Sequence, residues 1–512
     1  MPARAPGARP CRFVGICLRA GVCALLLLWA APAAGASVLQ PLGAGGWSWF
    51  GDPRALHVRG SLDQTYAGWV NRQGEVVVAS YGGRRLARAV IGRNGNSDDH
   101  DAPALLALPD NRLMAFYSHH DSGPLRYRIT ANPEDVSSWG PEQVLRTNIP
   151  GRMGWTYPSP LRLPAEQERG YLFWRAANWN PAFATFTADG QFSGARQLIQ
   201  VPGQRPYVKY ESNGTDEIAL AFTNGHPRET RASLFFAFYR HGALFRASGK
   251  RITSMRRLPF RPSQADRIYD ARRSGIDSWV HDVALTPSGR PVIVYAVFPS
   301  SQRHIYRYAR FNGRRWVTHT ITAAGGPITR VPRERFYSAG ISLNHRHPSI
   351  VYLSRRVGPH FEIERWRTRD GGRRWSRRAI TSHSRVDNVR PVSPRGLEPG
   401  REEVLWMRGR YGRYREFGTT ITSDSGAQPS PPLASFDAPA RVRTRSPRFH
   451  AEITQPRGAP IVATTWDFGD GQTGVGGDTV HTYAAPGRYV VRLTAVDGAG
   501  GVGVFVRTLV IP

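Results

Sequence analysis

The chain has 512 residues, 40% of them hydrophobic, enough for more than one domain with its own core. Its 69 basic against 38 acidic residues give a formal net charge of +31, a surface that favours polyanions such as nucleic acid, anionic membrane or acidic polysaccharide. The only cysteines are Cys11, Cys17 and Cys23, so everything beyond them excludes a disulfide framework, thiol catalysis and a cysteine-ligated metal.

From the N-terminus, Arg4, Arg9, Arg12 and Arg19 precede an apolar core from Val22 to Ala31, and Ala34-Gly35-Ala36 supplies the small residues of a cleavage site. Residues 1–36 therefore read as a secretory signal peptide, whose loss leaves a charge of about +27. The product is expected to be secreted, extracellular or periplasmic. No later stretch approaches the roughly 20 apolar residues of a membrane span. Export argues against nucleic acid and leaves acidic polysaccharide as the expected partner of a monomeric protein.

After the leader, helical periodicity gives way to short apolar runs separated by Gly, Asn, Asp and Pro turns. Glu75–Tyr81 is one such strand. Ala102–Leu108 and Leu113–Tyr117 are two more, joined by a turn at Pro109–Asn111. That hairpin carries His100 just before its first strand and His120 just after its second, so the two imidazoles should meet on one side of the sheet. Imidazoles titrate near neutral pH and suit proton transfer, and Asp98, Asp99, Asp101 and Asp121 flank them.

Similar units follow at Leu161–Leu163 with Tyr171–Trp174, Glu217–Thr223, Val283–Thr286 with Pro291–Val297, Ala339–Leu343 with Ser349–Ser354, and Arg390–Pro394 with Glu403–Met407. Seven units between Trp47 and Thr422, roughly fifty residues apart, match the spacing of four-stranded propeller blades. Polar and aromatic residues gather at strand ends around Tyr157, Arg175, Asn178, Tyr207, Tyr210 and His226, where a propeller opens its channel. Arg175, following four apolar or aromatic residues, should emerge at a strand end. Thr368-Arg-Asp370-Gly-Gly372-Arg-Arg-Trp375 fits the Asp-box pattern, a turn that supports a propeller without specifying a reaction.

Ser425-Gly-Ala-Gln-Pro-Ser-Pro-Pro432 reads as a linker. Beyond it, Trp466-Asp-Phe-Gly-Asp-Gly471, His481-Thr-Tyr483 and Pro486-Gly-Arg-Tyr489 resemble a PKD domain, an immunoglobulin-like sandwich. The expected fold class is all-β: a signal peptide at 1–36, a seven-bladed β-propeller at 37–425, a linker at 426–432 and a PKD domain at 433–512.

Trp47-Ser-Trp-Phe-Gly-Asp-Pro53, Asp98-Asp-His-Asp-Ala-Pro103, Thr156-Tyr-Pro158, Trp174-Arg with Asn178-Trp-Asn-Pro181, Thr223-Asn-Gly-His-Pro227, Tyr337-Ser-Ala-Gly340 and Asn388-Val-Arg-Pro391 together resemble the BNR-repeat family that contains the propeller ulvan lyases. The resemblance implies a seven-bladed propeller and β-elimination of an acidic polysaccharide at a uronic acid. It also implies His100, His120, Tyr157 and Arg175 as catalytic residues, with Tyr207, Tyr210, Asn178 and His226 as substrate contacts. No metal site is matched and no cofactor is expected, a structural metal ion being left unassigned.

The residue types suit that chemistry independently. A uronate C5 proton is weakly acidic until its carboxylate is neutralised, a task for Arg175 with one histidine. A base then takes the proton and an acid protonates the departing glycosidic oxygen. Tyr157 fits either role, as a base only if nearby cations lower its pKa. Two alternatives stand beside the lyase. One is a sialidase-like glycoside hydrolase, for which Glu211 and Glu364 are available without a paired-carboxylate motif; the other is a non-catalytic carbohydrate-binding propeller.

Overall fold

The computed structural model describes residues 39–512 apart from 153, 426–429, 439–440 and 456–458. The expected signal peptide and the first part of the expected linker lie outside the described residues. Among the described residues the strands form eight sheets, joined by turns and a few single-turn helices.

The sheets follow one another along the chain as antiparallel meanders. Ala55–Val58, Gln64–Val70, Glu75–Gly82 and Arg85–Arg93 make the first. Ala104–Ala107, Leu113–His119, Ser122–Ile129 and Gln143–Val144 make the second, and Thr156–Leu163, Arg169–Arg175, Pro181–Phe186 and Arg196–Gln197 the third. The fourth begins at Tyr207–Ser212 and is broadened by extra strands at Arg251–Ser254 and Asp266–Tyr269. The fifth starts at Asp277–Leu285 and the sixth at Ile341–Leu343.

In the next sheet, Asn388–Val392, Leu405–Arg413 and Glu416–Ser423 accept the N-terminal strand Gln40–Ala44 as a fourth member. The two ends of the chain's first 420 or so residues are thereby zipped together. First strands of successive sheets pack side by side, and Leu56 of the first sheet bridges to Arg395 beyond the last. Middle strands such as Leu113–His119 and Pro291–Ser300 are almost wholly buried, because each sheet is covered on both faces by its neighbours. They accordingly read as continuous apolar runs rather than alternating ones. Outer strands such as Ser376–Ala379 are exposed throughout.

The turn from Thr368 to Trp375 is tied by its own side chains. Thr368 Oγ1 accepts from Gly372 N at 2.8 Å and Asp370 Oδ1 from Arg374 N at 2.9 Å, while Trp375 Nε1 donates to Gly372 O at 2.9 Å and the ring packs on Tyr308.

The C-terminal residues build a separate core of Phe436, Phe449, Trp466, Phe468 and Tyr483, with His481 stacked on Phe468 at 4.0 Å. This unit is continuous with the first sheet. Val502–Ile511 pairs in parallel with Arg85–Arg93, giving one eight-stranded sheet, and Val504 and Val506 join the core of the first meander. Arg507 forms a buried ion pair with Glu75 at 2.8 Å, and Arg88 donates to Ala434 O. Ser430 of the expected linker is itself buried.

Candidate functional site

Local irregularities at the strand ends build the site. The hairpin of residues 104–119 has Asp99–Asp101 as a single helical turn before it, with Asp98 capping His100 N. The strand Thr156–Leu163 is bulged between Thr156 and Ser159, and Asn388–Val392 between Val389 and Val392. Tyr157 and Arg390 sit in those bulges with left-handed backbones, φ 62° and 54°, and Asp121 beside them has φ 56°. A bulge re-aims a side chain at the cost of regular pairing, and strained residues held in place by their surroundings gather at functional sites.

The two histidines meet as the hairpin requires. Their rings stack at 3.8 Å with an interplanar angle of 9°. One fully buried carboxylate holds both: Asp98 Oδ1 lies 2.7 Å from His100 Nδ1 and Asp98 Oδ2 lies 3.1 Å from His120 Nδ1. Burial pulls the His100 pKa down, but Asp98 and Asp99 outweigh it and hold it up at about 10. His100 is therefore an imidazolium at neutral pH.

Tyr157 lies 5.4 Å from the His100 ring and 6.0 Å from Tyr207, and Arg175 stands over the Tyr157 ring at 4.7 Å. His100, His120, Tyr157 and Arg175 thus form one contiguous group. Arg175 ends its strand but is buried, and its charge is already engaged. Nη2 meets Asp121 Oδ1 at 2.7 Å and Nη1 donates to Tyr207 Oη at 3.3 Å. Burial pushes the Tyr157 phenol well above its ordinary value, and Arg175 offsets only part of that. The phenol is a proton donor at rest, which differs from the base that a crowd of cations would have made.

Of the expected substrate contacts, Tyr207 joins the group, and His226 packs behind it at 5.8 Å. Burial, with Arg228, Arg205 and Arg175 nearby, pushes the His226 pKa well down, so its ring is neutral. Tyr210 does not belong: three residues further along the strand, it stacks on Phe173 at 4.3 Å in a core between sheets. Asn178 is exposed, and its amide donates to Pro150 O at 3.3 Å, away from the histidines. Glu211 and Glu364, the acids open to a hydrolase, are both tied to arginines, Glu211 to Arg395 at 2.6 Å and Glu364 to Arg355 at 2.7 Å.

Several members have no individual assignment from the sequence. A narrow cleft of about 10 Å³ is lined by Trp49, Phe50, Asp99, His100, Tyr157, Tyr207, Trp279, Tyr337 and Arg390. Arg390 is paired with Asp99 at 2.5 Å, and Tyr411 Oη donates to the same Asp99 oxygen at 2.7 Å. Ser48, Trp49 and Phe50 line it from a segment whose main chain is held by Arg390, Lys209 and Asp99. Trp47, Tyr337 and Arg390 fall in stretches that carried the family resemblance, which was the available signal.

Asp98, His100 and His120 also bring one potential metal-ligand atom each within 4.8 Å of one another. Arg415 Nε, 3.0 Å from Asp98 Oδ2, competes for that carboxylate, and both Nδ1 atoms face it. The group is better described as a carboxylate-bridged histidine pair than as a metal centre.

No curated protein matches the sequence. Among solved structures, the chain is similar to a PL25 polysaccharide lyase, an ulvan lyase bound to -[GlcA(1-4)Rha3S]-, at 16% identity and a TM-score of 0.56, over 76% of this chain and 94% of that one. A second PL25 ulvan lyase structure gives 16% identity and a TM-score of 0.57 over the same shares. At that identity the likeness is one of fold. Residues 429–510 match the model of the PKD domain. Residues 64–324, half of the chain, match the model described as BNR repeat-containing family member, and the protein belongs to that family.

Proposed function

We propose that the protein is a secreted polysaccharide lyase, a seven-bladed propeller that cleaves a uronate-containing polysaccharide by β-elimination at the pocket beside His100 and Tyr157. The observation that carries this reading is the convergence of a buried imidazolium, a protonated phenol and a second imidazole within one sugar ring's reach. Seven meandering sheets with the N-terminal strand zipped into the last support the blade count.

The residues divide the work by charge. His100, protonated and turned to Asp98 and Asp99 through Nδ1, donates from its other ring nitrogen to the uronate carboxylate, and that hydrogen bond makes the C5 proton more removable. His120, stacked on His100 at 3.8 Å, is assigned to take the C5 proton. Tyr157 gives its phenolic proton to the glycosidic oxygen as the C4–O bond breaks. Arg175, its charge met by Asp121, orients Tyr157 and Tyr207 instead of meeting the substrate as a free cation.

The product carries a new C4–C5 double bond conjugated to its carboxylate and absorbs in the ultraviolet. Purified protein incubated with a panel of uronate polysaccharides should generate that absorbance with at least one of them. Reducing ends appearing without absorbance would instead indicate a hydrolase, and tight binding with neither signal a non-catalytic propeller.

A further inference from the structure

The far ends of the fifth and sixth sheets carry a charge pattern of their own. Trp279 and Tyr337, which line the cleft, lie at or just before the starts of the first strands of those sheets. The turns joining first to second strand and third to fourth strand therefore fall at the opposite end, away from the cleft. In the fifth sheet these turns are 286–290 and 312–315, and in the sixth 344–349 and 368–375.

Arg290, Arg314 and Arg315 stand on the first pair of turns, and Arg346, Arg369, Arg373 and Arg374 on the second. All are exposed, and none is ion-paired among the described residues. Asp370 is the only carboxylate on the four turns, and its Oδ1 is held inside its own turn by Thr368 Oγ1 at 3.0 Å and Arg374 N at 2.9 Å. The corresponding first turns of sheets one to four each hold a carboxylate, at Asp63, Asp110, Glu166 and Asp216. The excess is thus local to two neighbouring sheets. Packing joins their turns into one platform. A Cβ on Gly371 would lie 2.4 Å from the Arg310 guanidinium carbon, one on Gly313 would lie 3.5 Å from Arg290 Nη2, and Tyr308 Oη donates to Pro348 O at 3.1 Å.

We infer that this platform docks the protein on an anionic lipid bilayer. Guanidinium forks match phosphate oxygens in pairs, and clustered basic side chains are drawn to an anionic bilayer surface. A saccharide chain would also seek aromatic faces, but the rings on these turns are spent on the core. Trp375 packs on Tyr308, and Trp316 packs on Phe236 and Phe311. Docked this way, the protein turns its cleft away from the membrane and towards polymer in solution. The inference goes beyond the lyase reading and does not depend on it.

Flotation of the purified protein with vesicles tests it, using phosphatidylcholine alone or with one third phosphatidylglycerol. Partition onto the anionic vesicles should exceed that onto the neutral ones at least about tenfold and should be lost in molar salt. Arg315→Glu with Arg373→Glu should lower it at least about tenfold without shifting thermal unfolding. Arg72→Glu with Arg410→Glu makes the same charge change at exposed arginines on the cleft side, and should lower it less than about twofold. Equal partition onto both vesicles, or equal losses from the two double variants, overturns the assignment. Binding to soluble alginate that is lost with Arg315→Glu and Arg373→Glu, in the absence of vesicle binding, gives the face to a polymer and overturns it as well.

Discussion

Arg175 and Asp121 form an ion pair of 2.7 Å that fixes the arginine above the Tyr157 ring, with the guanidinium also donating to Tyr207 Oη at 3.3 Å. The pair changes what the arginine can do. A guanidinium already matched to a carboxylate adds little net charge to a substrate, but it holds two phenols in place.

Arg175→Ala should therefore cut kcat by about a hundredfold, the scale of a lost acid–base arrangement, with a small change in KM. Steady-state rates read from the ultraviolet product decide the point. A raised KM with kcat preserved would return Arg175 to carboxylate binding.

Tyr157→Phe tests the proton donor with little steric change. The left-handed backbone at this position is equally strained with Phe, so stability should be nearly unaltered. Turnover should fall by at least about a hundredfold. Residual activity near wild type would place the acid elsewhere, on Tyr207 at 6.0 Å from Tyr157 or on Tyr414 at 5.3 Å from His100.

Much of this arrangement was legible in the sequence, for a physical reason. A hairpin is local, so a Pro-Asp-Asn turn between two apolar runs was enough to bring His100 and His120 into contact. Tyr157 and Arg175 were also reachable, as residues facing each other at the ends of one hairpin, Thr156 being registered opposite Arg175. Contacts between distant sheets were not legible. Asp99 meets Arg390 across 291 positions, and nothing in the spacing of either announces the other. Tyr210 misled because a strand alternates its faces. Tyr207 and Tyr210, an odd number of residues apart, point to opposite sides, one to Tyr157 and one to the core. The parallel pairing of Val502–Ile511 with Arg85–Arg93 was equally hidden, since the Pro/Ser-rich stretch before the last domain suggested a free spacer.

That pairing makes the C-terminal domain part of the first sheet's stability. Arg507→Ala leaves Glu75 buried with only Asn71 as a partner, which should cost on the order of 3 kcal/mol. Thermal unfolding should shift down accordingly, whereas Arg507→Leu combined with Glu75→Leu should recover most of the loss. Proteolytic nicking between the two regions should yield fragments that stay together on gel filtration. Separation into two independent species would refute the continuous sheet.

The last prediction uses Asp98, the carboxylate shared by both imidazoles. Because the folded His100 pKa is raised from 6.5 to about 10, its charge contributes stability that is fully present below about pH 6.5 and is lost as pH rises through about 10. The proposed reaction uses the same protonated ring, so activity in the wild type should persist on the alkaline side until that pKa is approached. Asp98→Asn removes the group that contributes most to the rise and leaves Asp99 as the only carboxylate on the His100 ring. Burial then weighs more heavily against the imidazolium. The alkaline limb of kcat/KM should move down by more than one pH unit, and the stability loss on raising pH should begin earlier by a similar interval. Both profiles come from one variant, one by product absorbance and one by thermal unfolding. If the activity limb stays in place while the unfolding curve shifts, His100 is charged for structural reasons and another group neutralises the uronate.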